Sequence, residues 1–226
     1  MTRPRQTLVL VTGASSGLGK STLARSLSEA LAHEGVRVSL FREEDIRREP
    51  AFAEVMSVFE ATGEVDTRTL LVAAGEYLRA ARRQPVDVFV LDALFPYLPS
   101  LLAWGHTDAE VAAFFSEIAT RFDGFGVIEL HLAGDVAAGL QRAAGREGGD
   151  WLDDHVARMA ARSGAPPIDS VDGAAAYLGA LAARSRRLLE AAPWPVEVLD
   201  ADAPPDEVLT AALTASSAVS GSPSTR

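Results

Sequence analysis

The sequence predicts an α/β fold, a five-stranded parallel sheet with helices on both faces, and three observations predict it. Five short apolar runs, Leu8–Val11, Val36–Phe41, Val86–Leu91, Val127–Leu132 and Val196–Leu199, are spread along the 226 residues. The stretches between them carry apolar residues at three- and four-residue spacing, the helical period. The first run ends in a glycine-rich turn that passes at once into a helical pattern. Strands buried on both faces read as continuous apolar runs rather than as alternating ones, and these do.

Taken in order, Ser21–His33 places Leu23, Leu27, Ala30 and Leu31 on one helical face, and Gly35 ends that helix. The second strand follows, then the charged run Arg42-Glu43-Glu44-Asp45-Ile46-Arg47-Arg48-Glu49. Helices are expected over Ala51–Ala61 and Thr67–Arg83, split by Gly63. The third strand closes on Asp92, and an irregular aromatic and proline-rich segment, Phe95-Pro96-Tyr97-Leu98-Pro99, comes next. Asp108 is expected to cap a helix running to Phe122. After the fourth strand, helices are expected over Asp135–Ala144, Trp151–Arg162 and Asp172–Ala191, with a break at Gly145–Gly149 and a proline-containing loop at Ser163–Asp169. The fifth strand precedes a last helix, Pro205–Thr214, and the Ser/Gly/Pro-rich end over 216–226 reads as a disordered tail. No repeat or long linker divides the chain, so one domain is expected over 1–215.

The turn after the first strand carries the chemistry. Gly13, Ala14, Ser15, Ser16, Gly17, Leu18, Gly19, Lys20, Ser21 and Thr22 follow a strand and open a helix, the setting of a phosphate-binding P-loop, with Ala14 where the motif usually has its first glycine. Backbone N–H groups and a helix N-terminus would face the phosphates, Lys20 would reach the β- and γ-phosphates, and the Ser21 hydroxyl would ligate Mg²⁺. The same Thr12–Gly19 stretch also resembles the cofactor loop of short-chain dehydrogenases. Lysine usage separates the two. The dehydrogenases need a Tyr-x-x-x-Lys pair, whereas here Tyr77, Tyr97 and Tyr177 are followed four residues on by Ala81, Leu101 and Leu181. Of 21 lysines and arginines, one is lysine, Lys20, at the position that wants a compact ammonium among phosphate oxygens. The predicted class is therefore a P-loop NTPase fold using ATP and Mg²⁺.

Composition narrows the rest. The net charge of −10 argues against general affinity for nucleic acid or an anionic membrane. Without cysteine there is no disulfide framework and no thiolate chemistry. Met1-Thr2-Arg3-Pro4-Arg5 leads straight into the first strand, and no apolar run nears the ~20 residues that span a bilayer. A soluble cytoplasmic protein is expected, compatible with a homodimer.

Ligands of such sheets bind at the carboxyl ends of the strands, which puts the P-loop, Arg42–Asp45 and Asp92–Tyr97 along one edge. Asp92 is expected to hold the Mg²⁺ water shell together with Ser21. It is followed by Ala93 and not by a water-activating glutamate, which favours transfer to an acceptor over hydrolysis. No Asn-Lys-x-Asp guanine motif is present. Glu44, Asp45 or Asp92 is expected to activate an acceptor hydroxyl, and Arg42 could clamp an acceptor anion. Arg142 and Arg146, with Arg158 and Arg162 beyond them, suit a mobile lid over about 142–162 that brings positive charge to the transferring phosphoryl group. Phe95, Tyr97, Trp104 and His106 read as core by default, and His131 as a structural strand histidine.

The P-loop, the Leu91-Asp92 exit, the arginines after strand four and the Val198-Leu199-Asp200 strand together resemble the nucleoside and nucleotide kinase group, thymidylate and deoxynucleoside kinases included. Arg42-Glu43 is similar to the Arg-Glu-Pro start of the thymidylate kinase second loop. The family's Asp-Arg-Tyr is here Asp92-Ala93-Leu94, so its arginine is absent. Leu91–Phe115 and Gly148-Gly149-Asp150-Trp151-Leu152 are also similar to bacterial kinase-like ATPases. The resemblance implies an ATP- and Mg²⁺-dependent phosphotransferase acting on a small molecule, a nucleoside, nucleotide or similar hydroxyl compound. Two alternatives share the machinery: a kinase modifying an antibiotic or other secondary metabolite, and an ATP-binding regulatory module with little or no turnover.

Overall fold

The computed structural model describes residues 5–161, 166 and 168–220. Five parallel strands, β1 (Thr7–Gly13), β2 (Val38–Phe41), β3 (Val88–Asp92), β4 (Gly126–Ala133) and β5 (Val196–Asp200), form one sheet in the order β2-β3-β1-β4-β5. Nine helices join them among the described residues: α1 (Lys20–His33), α2 (Ala53–Thr62), α3 (Thr67–Ala81), α4 (Leu98–Ala103), α5 (Asp108–Arg121), α6 (Val136–Glu147), α7 (Trp151–Ala160), α8 (Val171–Leu189) and α9 (Pro205–Ser220). Two short 3-10 turns, Glu43–Arg47 and Pro50–Phe52, follow β2.

Strand alternation splits the core into two layers. Val9, Val11, Val90, Ile128, Leu130 and Leu132 pack against Leu23, Leu27 and Leu31 of α1 and Val208 and Ala212 of α9. Leu8, Leu10, Phe89 and Leu91 face the other way, into α3, α4, α5 and α8. The second layer is rich in rings. Phe95 sits between Tyr77 (centroids 6.1 Å apart), Tyr97 (5.4 Å) and Phe122 (5.9 Å), edge-on in each case. Phe95, Tyr97 and Leu98 are thus core, as expected, and they fix the backbone of the β3 exit.

Several boundaries differ from the sequence reading, each for a local reason. β2 starts two residues late because Val36 N–H still closes the turn onto Leu31 O (3.1 Å). Thr107, not Asp108, caps α5: its hydroxyl accepts from Glu110 N–H at 3.3 Å while Glu110 reaches back to Thr107 N–H at 2.8 Å, a capping box. Asp108 is left to pair with Arg184 of α8 at 2.6 Å. Gly145 does not break α6, since it lies on the exposed side where one glycine costs only about 1 kcal/mol. The helix ends at Gly148, which takes φ 71°. The aromatic segment after β3 holds the short helix α4, which the prolines concealed. Finally, α9 continues through Ser216, buried with its hydroxyl donating to Ala212 O at 2.8 Å, and on to Ser220. The tail expected from 216 therefore begins inside a helix, and residues 221–226 lie outside the described residues.

One polar group of the second layer has a measurable consequence. Glu129, fully buried, accepts from Thr12 Oγ1 (2.6 Å) and from Trp194 Nε1 (2.9 Å), and Thr12 also meets His131 Nδ1 (2.9 Å). Burial pushes the Glu129 carboxyl from 4.5 up to about 7. Burial, with Lys20 and Arg186 adding repulsion, pulls His131 from 6.5 down to about 4. For Glu129 the fold holds a proton that the unfolded chain releases, so this stabilisation is complete below pH 4.5 and is lost as pH rises to about 7. For His131 the sign is opposite: stability is complete above pH 6.5 and is lost as pH falls toward 4. Glu129→Gln removes the charge and can keep both contacts, its carbonyl oxygen accepting from Trp194 Nε1 and its amide N–H now donating to Thr12 Oγ1. It is expected to raise the unfolding midpoint by about 5 °C at pH 8 and to leave it unchanged near pH 5, as a thermal-melt series across pH would read.

Candidate active site

β1 ends at Gly13, and residues 14–19 turn the chain into α1 with Gly17 at φ 77° and Gly19 at φ 89°. Gly19 stands at the N-cap with no side-chain cap, and no acidic residue occupies the first turn. The first-turn N–H groups of a 14-residue helix are thus offered outward, the arrangement that suits an anion. Lys20 folds over the loop and donates from Nζ to Ser15 O at 2.7 Å. A helix of the next layer presses on the loop from outside: Gly139 of α6 backs so closely onto Gly17 that a Cβ at Gly17 would stand 1.9 Å from Gly139 O.

Asp92, the last residue of β3, is 2% exposed. Burial pushes its pKa up, against the pull of the nearby Ser21 hydroxyl and Lys20. Its Oδ1 has no protein partner. A buried carboxylate oxygen without a partner, next to a serine hydroxyl and a phosphate loop, fits Mg²⁺, which takes one or two protein oxygens and completes its shell with phosphate and water. Among the described residues no cluster of three or more His, Cys, Asp or Glu side chains could hold a metal by itself.

The charged run after β2 sorts itself by hydrogen bonding. Arg42 closes a capping box with Asp45, its N–H and guanidinium both reaching the carboxylate (3.0–3.2 Å), and also pairs with Glu44 at 3.1 Å. The Arg42 contacts hold the Asp45 carboxyl below its usual value, so Asp45 is occupied in the turn. Glu44 points largely into solvent, within electrostatic reach of Asp92. The acid that enters the site is Glu43. Crowding by the surrounding protein raises its pKa against the pull of Lys20, with Asp92 and Glu44 adding to the rise, while its outer side stays open to solvent. Lys20 in turn is lowered by burial and by Arg146, and held up by Glu43 and Asp92. Lys20, Asp92 and Glu43 form one electrostatic unit.

Arg142 and Arg146 lie on α6 rather than on a loop. Arg142 donates to Gly17 O (3.2 Å) and meets Asp202, after β5, at 3.5 Å; Asp202 also accepts from Asp135 N–H at the start of α6 (2.6 Å). Arg142 is therefore held at the P-loop rim. Arg146 pairs with Glu147 at 2.9 Å and is close enough to Lys20 to repel its proton. Arg158 is on the exposed side of α7, and Arg162 lies outside the described residues.

Of these groups, Lys20 and Glu43 line a cavity of about 180 Å³, with Gly13–Ser16 of the loop, Ala93, Tyr97 and, from α7 and α8, His155, Met159 and Leu178. Sequence reading did not single out Glu43, His155 or Asp202, and it read Tyr97 as core. An Arg42–Asp45 pair three apart can close on itself, which leaves Glu43 and Glu44 as the acids of the run to choose between. His155 and Met159 are four apart on a helix, so one face of α7 was legible as facing inward, but its target was not.

The architecture is an α/β one, a five-stranded parallel sheet flanked by helices, and it matches the P-loop fold of a solved deoxynucleoside kinase. Among solved structures, the chain is similar to deoxyadenosine kinase from M. mycoides, solved with the products dCMP and a flexible dCDP bound. The match has a TM-score of 0.51 over 90% of this chain and 95% of that one, at 14% sequence identity, and is a likeness of fold. No protein-family model matches the chain, and no curated protein sequence does. Among the described residues no helix is long and apolar enough to cross a membrane.

Proposed function

We propose that the protein transfers the γ-phosphoryl group of ATP to the hydroxyl of a small molecule. The observation that carries this reading is the unit of Lys20, Asp92 and Glu43 at the mouth of an uncapped, glycine-turned helix N-terminus. The P-loop amides and Lys20 bind the phosphates, with Arg142 and Arg146 on the outer side. Ser21 and Asp92 are the residues that would hold Mg²⁺, whose charge would neutralise the phosphate oxygens. Glu43 is placed to accept the acceptor's proton, and its raised pKa moves it toward the range where a base is most effective.

A base must be ionised to work, so turnover is expected to rise with pH through the Glu43 pKa, which lies above 4.5. Glu43→Gln is expected to lower kcat by about a hundredfold or more, to flatten that limb of the profile, and to leave MgATP affinity nearly unchanged. Acceptor-dependent ADP release across pH, paired with nucleotide titration, checks all three. A full-rate Glu43→Gln enzyme would remove Glu43 from the chemistry.

A further inference from the structure

Helix α2 carries more apolar surface than it buries. Val55, Met56, Val58 and Phe59 all lie on it, yet Val55 is its one buried residue, and Phe59 stays 38% exposed. Val55, Met56 and Phe59 share a helical face, and that face lines a cleft of about 470 Å³. A surface helix ordinarily turns such a stripe into the core, so apolar side chains left facing an open cleft point to something that fills it.

The other walls match this face. Ile46 comes from the 3-10 turn after β2, Val65 and Leu70 from the entry to α3 and its first turns, and Leu94 and Trp104 from the β3 exit and the end of α4. Phe59 and Trp104 stand with ring centroids 6.3 Å apart at a 44° tilt, so α2 and α4 meet at these rings. Walls from several elements and a volume of this size suit a small organic molecule and not the flat face of a second copy. The charged side chains of the lining are matched already. Glu44 pairs with Arg42 at 3.1 Å, and Arg47 with Glu60 at 2.6 Å. A charged or heavily hydroxylated body would give up its water here and find few groups to replace it. An uncharged apolar body meets no such cost and is rewarded for the surface it covers.

Continuity with the phosphate cavity places the cleft in the reaction. The two share Glu43, Ala93, Tyr97 and Ser100 on their walls, so a molecule seated in the cleft reaches the phosphate end beside Glu43.

We propose that the acceptor is a neutral, hydrophobic alcohol: its apolar body lies between the Val55–Met56–Phe59 face of α2 and the Leu94–Trp104 wall, and its hydroxyl stands beside Glu43 where the two cavities meet. The assignment rests on the phosphotransfer reading above. In the step, the acceptor oxygen bonds to the γ-phosphorus, the bond to the oxygen of the leaving ADP breaks, and the hydroxyl proton passes to Glu43 and on to water. The cleft favours an apolar acceptor by what it covers, and disfavours sugars and phosphorylated acceptors by the polar partners it does not offer them.

The test is calorimetric titration of the full chain with benzyl alcohol, phenethyl alcohol, phenylpropanol and phenylbutanol, and with ribose and deoxyadenosine, each also mixed with MgATP and read for ADP release. Affinity is expected to tighten about threefold with each methylene along the phenyl alcohols. ADP release is expected to be at least about tenfold faster with phenylbutanol than with ribose or deoxyadenosine at equal concentration. Phe59→Ser and Met56→Ser remove apolar surface from an exposed and a half-buried position. Both should keep MgATP affinity and melt within a few degrees of the parent, while weakening phenylbutanol by about fivefold or more. A merely structural face would lower the unfolding midpoint and leave the alcohol series unmoved. No gain along the series, binding of no alcohol below about 10 mM, faster turnover of ribose or deoxyadenosine than of every phenyl alcohol, or a series unchanged in both variants overturns the assignment. A flat series with ADP release from ribose or deoxyadenosine defeats this inference alone. A series that steepens as expected and is lost in both variants, without ADP release from any acceptor, defeats the phosphotransfer reading and leaves an apolar binding cleft.

Discussion

Lys20→Ala is expected to lower acceptor-dependent ADP formation by at least about a thousandfold, the scale seen when a cation bearing on the transferring phosphoryl group is removed. The side chain is half-buried over the loop, its hydrogen bond goes to Ser15 O, and its own pKa is lowered by burial. A charge held in unfavourable surroundings adds little to stability, so the variant should melt within a few degrees of the parent. A second effect follows from the same geometry. Lys20 pulls the Glu43 and Asp92 carboxyls down against the burial that pushes them up. Without it both rise further, and the pH limb of any residual turnover should move to higher pH. Nucleotide titration, a thermal melt and ADP release across pH distinguish these outcomes. A variant that turns over at the parent rate would sink the phosphate-binding role of the loop.

Gly17→Ala is expected to damage both stability and nucleotide binding, through backbone alone. Gly17 takes φ 77°, a conformation that costs an L-residue about 1–2 kcal/mol. Its Cβ would also lie 1.9 Å from Gly139 O and 2.6 Å from Gly139 C, backbone atoms of α6 that no rotamer change can move aside. The loop or α6 must shift. A loss of about 3 kcal/mol, or roughly 6–12 °C in the unfolding midpoint for a chain of this size, is the expected scale. Because Arg142 reaches the loop by donating to Gly17 O, the shift also releases that arginine, and MgATP affinity should fall together with stability. Gly19→Ala makes a useful contrast. Its φ of 89° carries the conformational cost, but nothing lies within 4 Å of its Cβ, so its loss should be the smaller of the two.

The P-loop reading did not depend on tertiary structure. Strand, glycine turn and helix are consecutive in the chain, so the motif was local, and its discriminator, Lys20 as the one lysine, is a count over the sequence that needs no contact. The same holds for the five strands, whose apolar runs were long enough to mark a sheet buried on both sides. Asp92 was legible as the residue that closes the third apolar run, and it does end β3. The charged run was harder. Four consecutive charged residues offer no period that says which one turns inward. The choice fell to a hydrogen bond between Arg42 and Asp45, which removed both and left Glu43 facing Lys20.

What the sequence determined by itself, then, is what neighbours in the chain decide: the order of strands and helices, the glycine turn that opens α1, and the acid that closes β3. What only the tertiary structure decided is which side chains from distant elements share a volume. Glu43 beside Lys20, Arg142 bridging Gly17 and Asp202, Glu129 bonded to Thr12 and Trp194, and an apolar cleft that meets the P-loop cavity at Tyr97 are all contacts between separate segments. Such contacts are set by how two core layers pack across one sheet, where burial shifts a pKa or strands a hydroxyl only after the whole chain has closed around it.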